Sequence, residues 1–170
     1  MFKKIEINGR EESFKCSAAT TILYKRLFGK SLQNEMVKMG TYSKNALTLK
    51  EDLARLSEKY GLKNDDPDSE NKIDPEVKNA YQEELINLLS EQTDAIMKIS
   101  EMTSELAPQM AYIMWLEANK PQRELFKELN EESYINWLSN FDSTALTAIS
   151  GDLFDLWNGT SKTYSKLKNV

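Results

Sequence analysis

The segment between Pro75 and Pro108 constrains the fold of this chain most, because it contains neither glycine nor proline. Apolar residues recur along it at alternating steps of three and four, the heptad pattern of a helix that packs along one seam. The seam consists of Leu85, Leu88, Gln92, Ala95, Ile99, Met102 and Leu106, and Gln92 is its one polar member. The pattern predicts a long helix over residues 74–106, which spans about 45 Å. We therefore expect an antiparallel helical hairpin or a helix–helix interface between subunits.

The start of this helix has several favourable residues. Asp74 can cap it, Pro75 suits the first turn, and Glu76 lies near the positive end of the helix dipole. The preceding residues 62–73 are polar and acidic, which predicts a flexible loop. Pro108 is expected to kink or restart the helix, which then continues to Asn119.

The N-terminal residues have the pattern of a β-hairpin. Asn8 and Gly9 both tolerate positive φ and form the preferred centre of a type I′ turn. A two-residue loop pairs Ile7 with Arg10, Ile5 with Glu12 and Lys3 with Phe14, and it places Ile5, Ile7, Phe14 and Cys16 on one face. Because the turn type and the apolar alternation agree, they predict one register.

Shorter helices are predicted on both sides of the long one. The first three are expected to begin at Thr20 or Thr21, at Ser31, and at a capping box from Thr48 to Glu51, and to end at Gly29, Gly40 and Gly61. After Asn119, helices are expected to begin at Pro121, at Asn130, and at Asp142 or Ser143. Gly151 divides the last of these into two short pieces.

Aromatic side chains gather near both ends of the chain. Because short helices are marginally stable alone and aromatic rings bury a large area, we expect these rings to be structural anchors. They are Tyr24, Phe28, Trp137, Phe141, Phe154 and Trp157. Residues 159–170 are polar and basic, which predicts a disordered tail.

Together these patterns predict a mainly α protein, a helical bundle with a long central helix or helical hairpin and an N-terminal β-hairpin. We expect a single helical domain over residues 1–158, followed by the tail at 159–170. The long helix 74–106 is a candidate insertion in that domain.

Composition argues against catalysis and against several binding functions. The chain has no histidine, so it lacks the commonest general base and metal ligand. Its single cysteine, Cys16, cannot form an intramolecular disulfide, and no glycine-rich phosphate loop is present. The acidic segment "NDDPDSEN" has alternate acids, but Asn71 and Val77 stand where an EF-hand has glycine and glutamate. We predict no catalytic, cofactor or metal site.

The net charge of −5 does not favour nucleic acid or anionic lipid as a partner. The first residues, "MFKKIEING", do not resemble a signal peptide, and no apolar run is long enough to span a bilayer. A cytoplasmic protein is expected.

Four of the seven methionines, Met97, Met102, Met110 and Met114, lie close together in the sequence. Methionine-rich faces adapt to several partner shapes, which makes this region a candidate surface for an apolar helical partner. Ordinary core filling is the alternative.

Segments at both ends resemble the tail assembly chaperones of long-tailed bacteriophages that infect Gram-positive bacteria. The similar features are the hairpin "IEINGREESFKCSAAT", the turn "LYKRLFGKSL" and the ending "YINWLSNFDSTALTAISGDLFDLWNGTSKTYSK". The resemblance covers roughly the first 35 and the last 45 residues, and residues 40–120 have no counterpart in it.

The resemblance implies a non-enzymatic role in tail morphogenesis in the cytoplasm of the infected host. Such chaperones coat the long helical tape measure protein, keep it soluble and are absent from the mature virion. A longer product of ribosomal frameshifting recruits tail tube subunits in this family, and homo-oligomers are compatible with such a coat. The alternative function is that of a small acidic helical adaptor or regulatory protein that binds one folded partner.

Overall fold

The structure, a computed structural model, describes residues 1–61, 74–142 and 144–167, with only the backbone of 160–167. The predicted acidic loop 62–73 and the candidate cap Ser143 lie outside the described residues. The protein is mainly α, as predicted, with one long central helix and an N-terminal antiparallel β-hairpin. The strands are β1 (Phe2–Ile7) and β2 (Arg10–Lys15), and the helices are α1 (Ala18–Phe28), α2 (Leu32–Leu47), α3 (Leu49–Lys59), α4 (Pro75–Asn119), α5 (Gln122–Glu128), α6 (Glu131–Leu138), α7 (Ala145–Ala148) and α8 (Ser150–Leu167).

The chain divides into two compact units, where the sequence predicted a single domain. The first unit comprises Met1–Met36 together with the chain from Glu101 onward, and the second comprises Val37–Ser100. We refer to them as unit 1 and unit 2. The α2 and α4 helices contribute residues to both.

The β-hairpin has the predicted register. Ile7 pairs with Arg10, Ile5 with Glu12 and Lys3 with Phe14. Asn8 and Gly9 have φ values of 51° and 76°, as the tight turn requires. The predicted apolar face, Ile5, Ile7, Phe14 and Cys16, is buried.

Several helix boundaries differ from those predicted. Ser17, rather than a threonine, caps α1, and it forms a capping box with Thr20. The α2 helix continues through Gly40, since one glycine costs only about 1 kcal/mol in a helix and helix-compatible residues follow. Thr48 makes no side-chain cap, because its backbone is helical (φ −81°, ψ −7°) rather than extended as a capping residue requires, and its hydroxyl donates to the Asn45 carbonyl at 3.0 Å.

Other predicted caps are present. The Asp74 carboxylate accepts the Glu76 backbone N–H at 2.9 Å, and the Asn130 side chain accepts that of Ser133 at 2.9 Å. The last segment is divided into α7 and α8, as predicted, but the break is at Ile149 rather than at Gly151, which lies inside the 18-residue α8. The backbone of α8 is helical to Leu167, within the predicted tail 159–170, of which residues 168–170 lie outside the described residues. No proline follows Gly159 to end the helix.

The α4 helix runs without interruption through Pro108, which was expected to kink or restart it. A proline inside a helix removes one backbone hydrogen bond and costs about 3 kcal/mol. Burial of the surrounding turns offsets that cost, because Met110–Met114 are all buried. This part of α4 is apolar around its whole circumference and forms the centre of unit 1.

A cluster of aromatic rings includes two on the buried part of α4, Tyr112 and Trp115. Successive ring contacts, with centroids 4.7–5.8 Å apart, join α1, α4 and α6 in the order Tyr24, Phe28, Tyr134, Tyr112, Trp137 and Phe141, and Trp115 also contacts Trp137. Four of the predicted anchors therefore belong to this cluster. In α8, Leu153 and Leu156 are buried, and the predicted anchors Phe154 and Trp157 are half-buried.

Hydrogen bonds fix the hairpin and α1 on α4. The Trp115 indole donates to the Glu12 carboxylate at 3.0 Å, and the Asn119 amide donates to the Ser13 carbonyl at 2.9 Å. The Ser17 and Thr20 hydroxyls donate to Glu117 at 2.6 and 2.5 Å. These contacts explain why the start of α1 is held in one place.

Alkaline pH is expected to destabilise unit 1 through its buried tyrosines. Burial, followed by the negative charge of Glu128, raises the pKa of Tyr112 from 10.0 to about 12. Unfolded tyrosine ionises near pH 10, so this contribution to stability is complete below pH 10 and is lost as the pH rises to about 12. Chemical unfolding at successive pH values should show a smaller loss over this range for Tyr112→Phe. An equal loss in the variant and the parent protein would contradict the assignment to Tyr112.

Candidate partner-binding surface

The four methionines proposed as a partner surface do not share one environment. Met110 and Met114 are fully buried in unit 1, so for these two the core alternative is the one that the structure supports. Met102 is half-buried in the same unit. Met97 lies in unit 2 with 55% of its surface exposed. Of the four, only Met97 presents most of its surface to a partner.

In unit 2, α2 and α3 cover one side of α4. The Lys59 ammonium and the Tyr60 hydroxyl donate to the Glu84 carboxylate at 2.5 and 2.7 Å. Both hydrogen bonds hold the pKa of Glu84 below its usual range. On the α2 side, the Gln92 amide donates to the Asn45 carbonyl at 2.7 Å. Five of the predicted seam residues lie in unit 2, and all five are buried or half-buried: Leu85, Leu88, Gln92, Ala95 and Ile99.

A second apolar row on α4 is exposed in the part of the chain that the structure describes. We define the outer stripe as Ile86, Leu89, Ile96 and Met97, whose exposed fractions are 66%, 44%, 57% and 55%. The four residues follow one another at spacings of three, seven and one, which places them on one face of the helix. This face is adjacent to the seam but points in a different direction. Sequence reasoning missed this surface because it searched α4 for a single seam. The recurrence of large aliphatic residues at 86, 89 and 96 was the available signal.

The outer stripe has the character of an interaction site. Complete burial of one large aliphatic side chain is worth about 1.5–3 kcal/mol, so a partner that covers four of them gains a substantial free energy. Contiguous exposed apolar surface on a globular protein commonly marks a site for another macromolecule. Single exposed apolar residues elsewhere, such as Ile22 and Ile135, require no such explanation.

Acidic residues border the outer stripe. Glu83 precedes Ile86 by one helical turn, Asp94 precedes Met97 by one turn, and both acids are exposed. The nearby Lys98 ammonium lies over the Tyr42 ring, 5.4 Å from its centre. The uncovered face of α4 in unit 2 is therefore apolar along its middle and negative along one border.

Gln92 is the one seam residue with an unsatisfied polar atom. Its side chain is buried, and its Oε1 accepts no hydrogen bond among the described residues. The Asn45 carbonyl, which the Gln92 amide contacts, also accepts from the Thr48 hydroxyl. If the Gln92 amide were removed, the Asn45 carbonyl would still accept a hydrogen bond from the Thr48 hydroxyl.

In residues 1–61, 74–142 and 144–159 there is no group of three or more acidic or cysteine side chains that could hold a metal ion. Cys16 is buried. None of the described helices combines the length and the apolar character needed to cross a membrane.

Comparison of the chain with protein-family models, curated proteins and solved structures finds no match.

Truncation of two methionines should separate core from surface. Met114→Ala removes a fully buried side chain and is expected to lower the free energy of unfolding by about 2–5 kcal/mol. Met97→Ala removes an exposed one and should change it by less than about 0.5 kcal/mol. Urea unfolding of both variants measures the difference. Equal losses would show that the assigned environments are wrong.

Replacement of the buried amide should stabilise unit 2. Gln92→Leu removes the unsatisfied Oε1 and completes the apolar seam, so the free energy of unfolding is expected to rise by about 1 kcal/mol. Gln92→Glu puts a charge in the same buried place and should lower it. Thermal and urea unfolding test both variants, and a destabilised Gln92→Leu protein would contradict the argument.

Proposed function

We propose that this chain is a non-catalytic tail assembly chaperone of a long-tailed bacteriophage. It binds the tape measure protein in the cytoplasm of the infected host, keeps it soluble and helps to recruit tail tube subunits, and it is absent from the mature virion. The observation that carries the proposal is the outer stripe on α4, because a protein that coats apolar helices needs exposed apolar surface of its own.

The position of the family-like segments also supports this proposal. The "LYKRLFGKSL" turn contributes Leu23, Tyr24 and Leu32 to the core of unit 1, and the "NWL" ending contributes Trp137. The hairpin segment is part of the same unit. Most of unit 2, Val37–Ser100, falls within residues 40–120, which have no counterpart in the resemblance. On this proposal unit 1 is the family body, and unit 2 supplies a partner surface particular to this chain.

Recruitment of tube subunits is proposed to proceed through a longer frameshifted form, as the resemblance implies. Several copies of the chain would coat one extended partner, with or without contacts between them.

An adaptor that binds one folded protein is the alternative function, and the stoichiometry of the complex distinguishes the two. Mass measurement of the purified complex should give many copies per tape measure chain, and a one-to-one complex would favour the adaptor.

The test of the proposal is co-expression with the tape measure protein from the same phage genome. The parent chain should keep the tape measure protein in the soluble fraction. The triple variant I86Q/I96Q/M97Q makes the outer stripe polar. With this variant most of the tape measure protein should be found in the pellet, because the apolar contacts are lost. The matched control I22Q/I135Q changes exposed apolar residues outside the stripe and should behave as the parent chain does.

Three results would contradict the proposal. The tape measure protein could be equally soluble with the parent chain and without it. The stripe variant and the control could have equal effects while circular dichroism shows both to be folded. Finally, the genome that encodes the chain could lack a tail tube gene and a long helical gene beside it.

A further inference from the structure

We propose that the outer stripe selects a partner helix whose own apolar face is bordered by lysine or arginine. This deepens the chaperone function proposed above and rests on it, since it names the chemistry of the partner segment. The observation behind it is the charge beside the stripe. Between Tyr81 and Met97, α4 carries four acids and neither lysine nor arginine, and the ammonium of Lys98, the next residue, lies over the Tyr42 ring.

The four acids have different environments. Glu84 is bound by Lys59 and Tyr60 of α3, on the covered side of α4. Glu91 lies beside a groove between α3 and α4. Glu83 and Asp94 remain, and both are exposed along the border of the outer stripe. A helix seated on the stripe would therefore meet these two carboxylates.

A basic border on the partner helix matches this arrangement. Lysine and arginine side chains can lay their aliphatic stems over apolar surface and direct the charged end to a carboxylate at its edge. Coiled coils use the same combination of an apolar seam with flanking charge pairs to choose partners. A partner helix with glutamates at those positions would bring like charges together and would be rejected.

The same charges disfavour an antiparallel second copy of this chain as the occupant. In an antiparallel pair related by a two-fold axis, the acidic borders of both copies lie on the same side of the interface. Glu83 and Asp94 of one copy would then face Asp94 and Glu83 of the other, without an intervening cation from α4 between Tyr81 and Met97. Charge complementarity therefore favours a different, basic chain.

Two designed helical peptides test the proposal on the full-length protein. Each has the same leucine and isoleucine face over about three heptads, and the residues that border this face are all lysine in one and all glutamate in the other. Fluorescence anisotropy is expected to show the lysine peptide binding at least about tenfold more tightly at about 0.05 M salt, with a smaller preference at about 0.5 M. A third peptide, with the lysine border and a serine face, controls for simple attraction to an acidic protein and should bind weakly.

Charge reversal locates the preference on α4. In E83K/D94K the tenfold preference for the lysine peptide should disappear or reverse. The control E6K/E58K makes the same change in net charge at exposed acids of β1 and α3 and should keep most of the preference. Circular dichroism and thermal melting confirm that both variants are folded.

The outcomes are decisive in either direction. Equal binding of the lysine and glutamate peptides, equal effects of the two charge-reversal variants, or tight binding of the serine-faced peptide would overturn the proposal. A parent protein that is a dimer by sedimentation, and that I86Q/I96Q/M97Q converts to a monomer, would identify a second copy as the occupant and would also overturn it. If the lysine peptide binds as expected but the tape measure protein gains no solubility, the surface chemistry stands and the chaperone function fails.

Discussion

Burial of the second half of α4 is the interaction on which unit 1 depends. Met110–Met114 have almost no exposed surface, so the helix is enclosed on every side there. The hairpin, α1 and the aromatic rings of α6 all contact this segment through the hydrogen bonds and ring pairs of Glu12, Glu117 and Trp137. The gain from enclosing these turns also explains how Pro108 is tolerated inside the helix.

The same helix has a different environment in unit 2. There it is covered along the seam by α2 and α3, and the outer stripe remains exposed. Because only one of the two apolar faces of α4 is covered, the other can still be buried against a partner. The proposed function uses this capacity for a partner chain, and the acidic border adds a preference for the charge of that partner.

Sequence reasoning recovered much of the fold but less of the candidate site. The seam of α4 was predicted correctly, and its covered side follows from that prediction. The four clustered methionines predicted the partner-binding surface less well, because residues that are close in the sequence were assumed to share one surface. Met110 and Met114 follow Met97 by several helical turns, and they are enclosed by distant parts of the chain. Residue type alone does not report such enclosure, since methionine suits both cores and binding surfaces.

The sequence by itself determined features that depend on neighbouring residues. Asn8-Gly9 and the apolar alternation set the hairpin register, while Asp74 and Asn130 set helix starts, because turns and caps are local hydrogen-bonding problems. Tertiary structure decided whether α4 would pass through Pro108 and which apolar faces would be covered. Each of these outcomes depends on a local free-energy cost and on the free energy gained when residues far away in the chain bury the helix. The local sequence pattern contains no information about that burial.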